Sequence, residues 1–127
     1  MILYRGAKAG LNKMCGGSFY SELEEIANSY AELEDNGTIY EYNLELKLMK
    51  APDYLWATDI DEGIETIKET MEDENEFNKC FKNYDGIVAQ KGSQVILFGT
   101  IENNTFTKQS LPELMNDVNA NYRRYGR

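Results

Sequence analysis

The pattern of apolar and polar positions predicts both strands and helices in the first third of the chain. The apolar run Ile2 to Tyr4 predicts a strand, and the glycine-rich segment Gly6 to Gly17 predicts a flexible loop able to fold over a ligand. Ser21 and Glu24 have the Ser-x-x-Glu spacing of a capping box. The helix expected after them has apolar residues on one face, namely Leu23, Ile26, Ala27, Tyr30 and Ala31.

The next segment alternates like a strand. Asp35 to Gly37 is a turn signal, and Thr38 to Met49 has apolar residues in different registers on either side of Tyr42. A single long strand, bulged near Tyr42 and Asn43 and ended by Pro52, accounts for this pattern.

Beyond that strand the period changes twice. From Asp59 to Phe77 it is helical, and the acidic cluster Glu72 to Glu76 is expected to be a solvated face that breaks the helix into two pieces. The apolar runs Ile87 to Gln90 and Gln94 to Phe98 are joined by a tight turn. They predict adjacent antiparallel strands in the middle of a sheet.

The C-terminal part predicts a short strand and a final helix. Thr105 to Thr107 has strand-like composition, and the helix begins near Ser110 and Pro112. Its docking stripe consists of Leu114, Met115, Val118 and Tyr122. The sequence therefore predicts one α+β domain over residues 1–127.

Composition narrows the classes of partner. The 127 residues include 13 Lys and Arg against 22 Asp and Glu, a formal charge of −9. We therefore expect no direct nonspecific binding to nucleic acid, and no binding to anionic lipid membranes, because both carry negative charge. It has no apolar stretch near the roughly 20 residues needed to cross a bilayer, and no signal-peptide pattern at its start. We therefore expect a cytoplasmic protein.

The chain contains no histidine, which changes the range of possible chemistry. Its absence removes a Ser-His-Asp triad, a Cys-His pair and a histidine-bound zinc. Cys15 and Cys80 lie in no metal-ligand spacing, so two reduced thiols and no metal site are expected.

Five short motifs follow one another in an order that resembles the ADP-ribosyltransferases, in particular the small domains of phage and mobile-element proteins. They are Tyr4-Arg5-Gly6, Gly17-Ser18-Phe19-Tyr20-Ser21 with its helix, Ile39 to Lys47 with Pro52, Tyr84 to Val88, and Val95 to Phe98. The resemblance covers roughly Ile2 to Ile101. It implies a split antiparallel β-sheet core with flanking helices, to which this chain adds its C-terminal helix.

The resemblance also implies a site for NAD as substrate. Arg5 matches the basic residue of the first strand, whose guanidinium can hold pyrophosphate or ribose, and Gly6 follows it. Ser21 matches the hydroxyl that orients the nicotinamide ribose, and Phe19 and Tyr20 are placed to stack on nicotinamide. Each has a plain structural alternative: a salt bridge for Arg5, a helix cap for Ser21 and a core position for the aromatic residues.

Gln94 departs from the family at the head of the closing strand. Active members have a glutamate there, which bonds the ribose 2′-hydroxyl and stabilises the cationic transition state; losing that charge costs on the order of 10² to 10³ in rate. Three explanations stay open: an engineered glutamine that traps a ligand complex, a naturally degenerate domain, or an acid from elsewhere, with Glu102 the nearest later candidate.

Two function hypotheses follow from the resemblance. The first is an NAD-dependent transferase that modifies a host protein or nucleic acid, as a phage-type anti-defence effector, for example an anti-CRISPR, or as a toxin. The second is a catalytically degenerate domain whose acidic surface inhibits a basic partner, such as a nucleic-acid-binding complex, by charge complementarity. A plain structural domain is the third alternative. The acceptor residue is not encoded in any motif.

Overall fold

The computed structural model describes residues 1–51 and 74–125, which form nine strands and three helices. In chain order these are β1 (Ile2–Lys8), β2 (Lys13–Met14), β3 (Phe19–Tyr20), α1 (Glu24–Ala31), β4 (Gly37–Asn43), β5 (Leu48–Lys50), α2 (Glu74–Asn83), β6 (Gly86–Ala89), β7 (Gln94–Leu97), β8 (Gly99–Glu102), β9 (Thr105–Lys108) and α3 (Leu111–Tyr125). A short 3₁₀ turn, Gln90–Gly92, joins β6 to β7. The fold is mixed α+β with mostly antiparallel strands, as the sequence pattern predicts.

The largest sheet has four strands in the order β3-β7-β6-β5. β7 is antiparallel to both of its neighbours, and β5 is parallel to β6. The predicted antiparallel pair in the middle of the sheet is therefore confirmed. Ile87, Val95, Ile96 and Leu97 are fully buried on these two strands, which explains why both strands are continuous apolar runs rather than alternating ones.

The other strands form two smaller sheets. β1 pairs antiparallel with β4, and β2, β8 and β9 form an antiparallel sheet in that order. A single bridge joins β1 to the end of β3: the Tyr4 N–H donates to the Ser21 carbonyl at 2.7 Å, and the Ser21 N–H donates back to the Tyr4 carbonyl at 2.8 Å.

Successive side chains of β7 enter two different apolar clusters, because side chains alternate between the faces of a strand. Val95 and Leu97 join a cluster with Leu3, Met14, Tyr20, Leu44 and Ile101. Ile96 lies in the other cluster, with Phe19, Ala51, Cys80, Ile87, Ala89, Phe98, Leu114 and Val118. The C-terminal helix α3 is thus docked through Leu114 and Val118, two of the residues predicted for that role.

Helix α1 is confirmed, but its predicted capping box is wrong. The residue before the helix is Leu23, which makes no side-chain cap, and the Leu23 N–H donates to Ser21 Oγ at 2.9 Å. Ser21 is held in extended pairing with Tyr4, and it lies two residues before the N-cap position, too early to cap the first turn. Ala27 and Ala31 form the buried face of the helix.

The predicted single strand from Thr38 to Met49 is also wrong. The chain leaves the first sheet after Asn43 and enters the four-stranded sheet at Leu48. Leu44 exchanges backbone hydrogen bonds with Met1. The Asp85 N–H donates to the Lys47 carbonyl, and the Lys47 N–H donates to the Asp85 carboxylate. The two registers of apolar residues reflect two different pairing partners rather than one bulge.

The predicted loop from Gly6 to Gly17 contains parts of two strands. Gly6 belongs to β1, and Lys13–Met14 pairs with β8, so the segment Gly6 to Gly17 is not one continuous loop. Gly99–Glu102 pairs with β9, and the strand predicted at Thr105 to Thr107 is confirmed. The helix predicted from Asp59 falls mostly outside the described residues. Glu74 to Glu76, expected to interrupt that helix, lie within α2.

Candidate functional site

Arg5 lies on the face of β1 that is turned away from α1. Gly6, on the other face, packs directly against the backbone of α1 at Ala27 and Ala31, and Arg5 points the opposite way because side chains alternate along a strand. Its cross-strand partner is Tyr40. The Arg5 Nη1 donates to the Phe19 carbonyl at 2.9 Å, which ties β1 to β3 through a side chain.

Tyr20 forms the wall beside this guanidinium. The Arg5 Cζ is 6.0 Å from the centre of the Tyr20 ring, and the Tyr42 ring meets Tyr20 edge-on at a centroid distance of 6.3 Å. Tyr20 is only 3% exposed, and burial raises the pKa of its hydroxyl, although the Arg5 charge acts in the opposite direction. The Tyr20 hydroxyl is therefore neutral at physiological pH and available as a hydrogen-bond donor.

Buried polar atoms without a partner concentrate at the predicted site. Among the described side chains, such atoms are Arg5 Nε, the Tyr20 hydroxyl, Gln94 Oε1 and Gln109 Oε1. Each unpaired buried group costs about 1 to 3 kcal/mol, so such groups are uncommon in folded proteins and call for a partner. Three of the four belong to residues that the motif resemblance assigns to NAD.

Gln94 is the first residue of β7, opposite Ala89 of β6. Alternation puts it on the same face as Ile96 and on the opposite face from Val95, the cross-strand partner of Tyr20. The Gln94 amide and the Tyr20 ring therefore lie on different faces of the β3–β7 pair. Both lie at the end of this pair where β3 ends and β7 begins.

Ser21 is buried, and its hydroxyl serves the backbone around it. Ser21 Oγ accepts from the Leu23 N–H at 2.9 Å and lies 3.5 Å from the Gly92 carbonyl, to which it can donate. These two bonds fix the backbone just before α1 and the turn before β7, but Ser21 does not cap the helix. These contacts also bring Ser21 next to the turn that leads into Gln94.

The other two residues predicted for cofactor binding have structural roles. Phe19 packs in the apolar cluster that α3 covers, with only 9% of its surface exposed. Gly6 lies so close to α1 that a β-carbon there would overlap the Ala27 carbonyl. A core position explains Phe19, and helix packing explains the glycine.

The Tyr4–Ser21 bridge and the β3–β7 pairing bring the backbone of Arg5, Ser21 and Gln94 together. The side chains divide into two groups. Arg5 and Tyr20, with Tyr42, form one group, and Ser21 and Gln94 lie beside the turn Gln90–Gly92.

Two residues beside the candidate site, Tyr42 and Glu22, are not predicted by the motifs. The sequence predicts Tyr42 only as part of a strand, and it predicts no role for Glu22. The Glu22 N–H donates to the Gly92 carbonyl at 2.8 Å, and its carboxylate lies against the same glycine. Glu102, the acid proposed from the sequence, instead lies exposed in β8, paired with Lys13 and Thr105 in the three-stranded sheet. No local pattern marks Glu22, because its partner is 70 positions away in the chain.

The cysteines are free, as predicted. Cys15 is exposed, whereas burial raises the pKa of the Cys80 thiol to about 11, so that it stays protonated and unreactive. Within residues 1–51 and 74–125, no cluster of three or more potential metal ligands occurs. No helix in that part of the chain is long and apolar enough to span a membrane.

A scan against protein-family models, a search of the curated proteins and a search of the solved structures each returned no match. The assignment of a function therefore rests on the motifs and on the geometry of the site.

The unpartnered Tyr20 hydroxyl leads to the first prediction. Tyr20→Phe should leave the ligand-free protein as stable as wild type or more stable by about 1 kcal/mol, because it removes a buried polar group that has no hydrogen bond. Urea denaturation measures this difference. A loss of stability greater than about 1 kcal/mol would show instead that the hydroxyl is bonded within the free protein.

Proposed function

We propose that this chain is an ADP-ribosyltransferase-type domain that binds NAD as substrate and transfers ADP-ribose to a host macromolecule. The observation that carries the proposal is the coincidence of unpaired buried polar atoms with motif residues: Arg5 Nε, the Tyr20 hydroxyl and Gln94 Oε1. The motif order and the α+β fold are compatible with it. NAD offers acceptors for the first two atoms and a ribose hydroxyl donor for the third.

Arg5 would hold the anionic part of the dinucleotide. Its guanidinium is already oriented by the bond from Nη1 to the Phe19 carbonyl, which leaves Nε to donate to a phosphate or ribose oxygen. A charge-assisted bond of this kind is stronger than a neutral one. Bound NAD would thereby give Arg5 Nε the hydrogen bond that this buried atom lacks in the free protein.

Gln94 would receive a ribose hydroxyl through Oε1. In the reaction, the bond between ribose C1′ and the nicotinamide nitrogen breaks, and the ribose gains cationic character. A neutral amide orients the sugar but does not stabilise that charge. Gln94 thus supports binding more directly than turnover.

The same residue supports the second candidate function, a catalytically degenerate domain that inhibits a basic partner by binding it. The neutral amide at the head of β7 and the net charge of −9 both favour this alternative. Complementary charge would increase the rate of encounter with a basic protein. The two candidates differ in whether nicotinamide is released.

The role of Arg5 can be tested by calorimetric titration with NAD. Arg5→Ala should weaken NAD binding by about 1.5 to 3 kcal/mol, the value of a hydrogen bond to a charged group. Lys13→Ala is a matched control, because Lys13 is an exposed cation on a different sheet, and it should bind like wild type. Equal affinity in wild type and Arg5→Ala would remove Arg5 from the site.

The role of Gln94 can be tested by measuring nicotinamide release. Gln94→Glu should raise turnover by at least about tenfold, because it adds negative charge where the ribose becomes cationic. Thr107→Glu adds the same charge at an exposed position of β9 and should leave turnover unchanged. A Gln94→Glu protein that binds NAD but releases no nicotinamide would support the degenerate domain.

A further inference from the structure

Glu22 places a carboxylate against the turn that precedes the closing strand. It follows Ser21 directly, and its N–H donates to the Gly92 carbonyl at 2.8 Å. A β-carbon built on Gly92 would lie 2.5 Å from Glu22 Oε2 and 3.1 Å from Cδ. The acid group therefore lies against Gly92, which is two positions before Gln94 in the chain.

The turn Gln90–Gly92 has room for this carboxylate because residue 92 is a glycine. Gly92 has φ of +91°, a conformation that favours glycine, and it is buried although Glu22 itself is exposed. Any larger residue at position 92 would displace the acid. The Glu22 carboxylate is thus packed against the turn and remains within reach of a ligand from solvent.

We propose that Glu22 supplies the negative charge that Gln94 lacks. The two residues would together perform the two functions of the single glutamate in active members of the family. This inference rests on the function proposed above. Gln94 Oε1 accepts the ribose hydroxyl, and the Glu22 carboxylate stabilises the cationic ribose.

The reaction requires only NAD and an acceptor, and no further cofactor. The C1′–N bond breaks and its electron pair stays with nicotinamide, which becomes neutral. An oxygen or nitrogen of the acceptor then bonds to C1′ and loses its proton to solvent. In the simplest assay water is the acceptor, and the products are ADP-ribose and nicotinamide.

Glu22→Gln tests this role with two separate measurements. Nicotinamide release should fall at least about tenfold, whereas the dissociation constant for NAD should change less than about threefold, because the charge matters mainly in the transition state. Glu25→Gln, which removes an exposed acid of α1, should change neither value. In the double variant, Gln94→Glu should restore release to at least the wild-type rate.

The outcomes separate this inference from the function on which it rests. Equal release by wild type and Glu22→Gln overturns the role of Glu22, as does a wild type that binds NAD without releasing nicotinamide. Failure of wild type to bind NAD overturns the proposed function and this inference with it. If Glu22→Gln does not fold, Glu22→Asp can be tested instead, because it keeps the charge but shortens the side chain by one methylene. Nicotinamide release lower than that of wild type would support the role of Glu22, and unchanged release would contradict it.

Discussion

The burial of β7 on both faces is the constraint on which the rest of the structure depends. Val95 and Leu97 lie in one apolar cluster and Ile96 in the other, so a shift of one residue in register would exchange the two sets. The pairings with β3 and β6 are therefore strongly determined. This register also puts Gln94 at the end of the sheet, where the strand begins.

The candidate site lies where that sheet ends and β1 is attached. The Tyr4–Ser21 bridge and the bond from Arg5 to the Phe19 carbonyl join β1 to β3, and the contacts of Ser21 and Glu22 with Gly92 join β3 to the turn before β7. Three parts of the chain that are distant in sequence are thereby held together. The unpaired atoms on Arg5, Tyr20 and Gln94 are costly in the free protein, and a polar ligand would compensate that cost.

Periodicity predicted the elements that have a strong local signal. The spacing of apolar residues predicted three features correctly: the helix that contains Ala27 and Ala31, the β6–β7 pair, and the docking of α3 through Leu114 and Val118. The break between β4 and β5 could not be predicted in this way, because it depends on hydrogen bonds from Leu44 to Met1 and from Lys47 to Asp85.

The candidate site was predictable only in part, for the same reason. Arg5, Tyr20 and Gln94 could be found from the sequence because each lies in, or next to, a motif only a few residues long. The contact between Glu22 and Gly92 depends on the register of β3 against β7, which brings together positions 70 residues apart. The roles of Phe19 in the core and of Gly6 beneath α1 likewise depend on which helix covers each strand.

A crystal structure of the protein grown with NAD tests the central claim most directly. The account predicts a phosphate or ribose oxygen within about 3.2 Å of Arg5 Nε, and a ribose hydroxyl at a similar distance from Gln94 Oε1. It is contradicted if both atoms are bonded only to water, or if NAD occupies a different surface of the molecule.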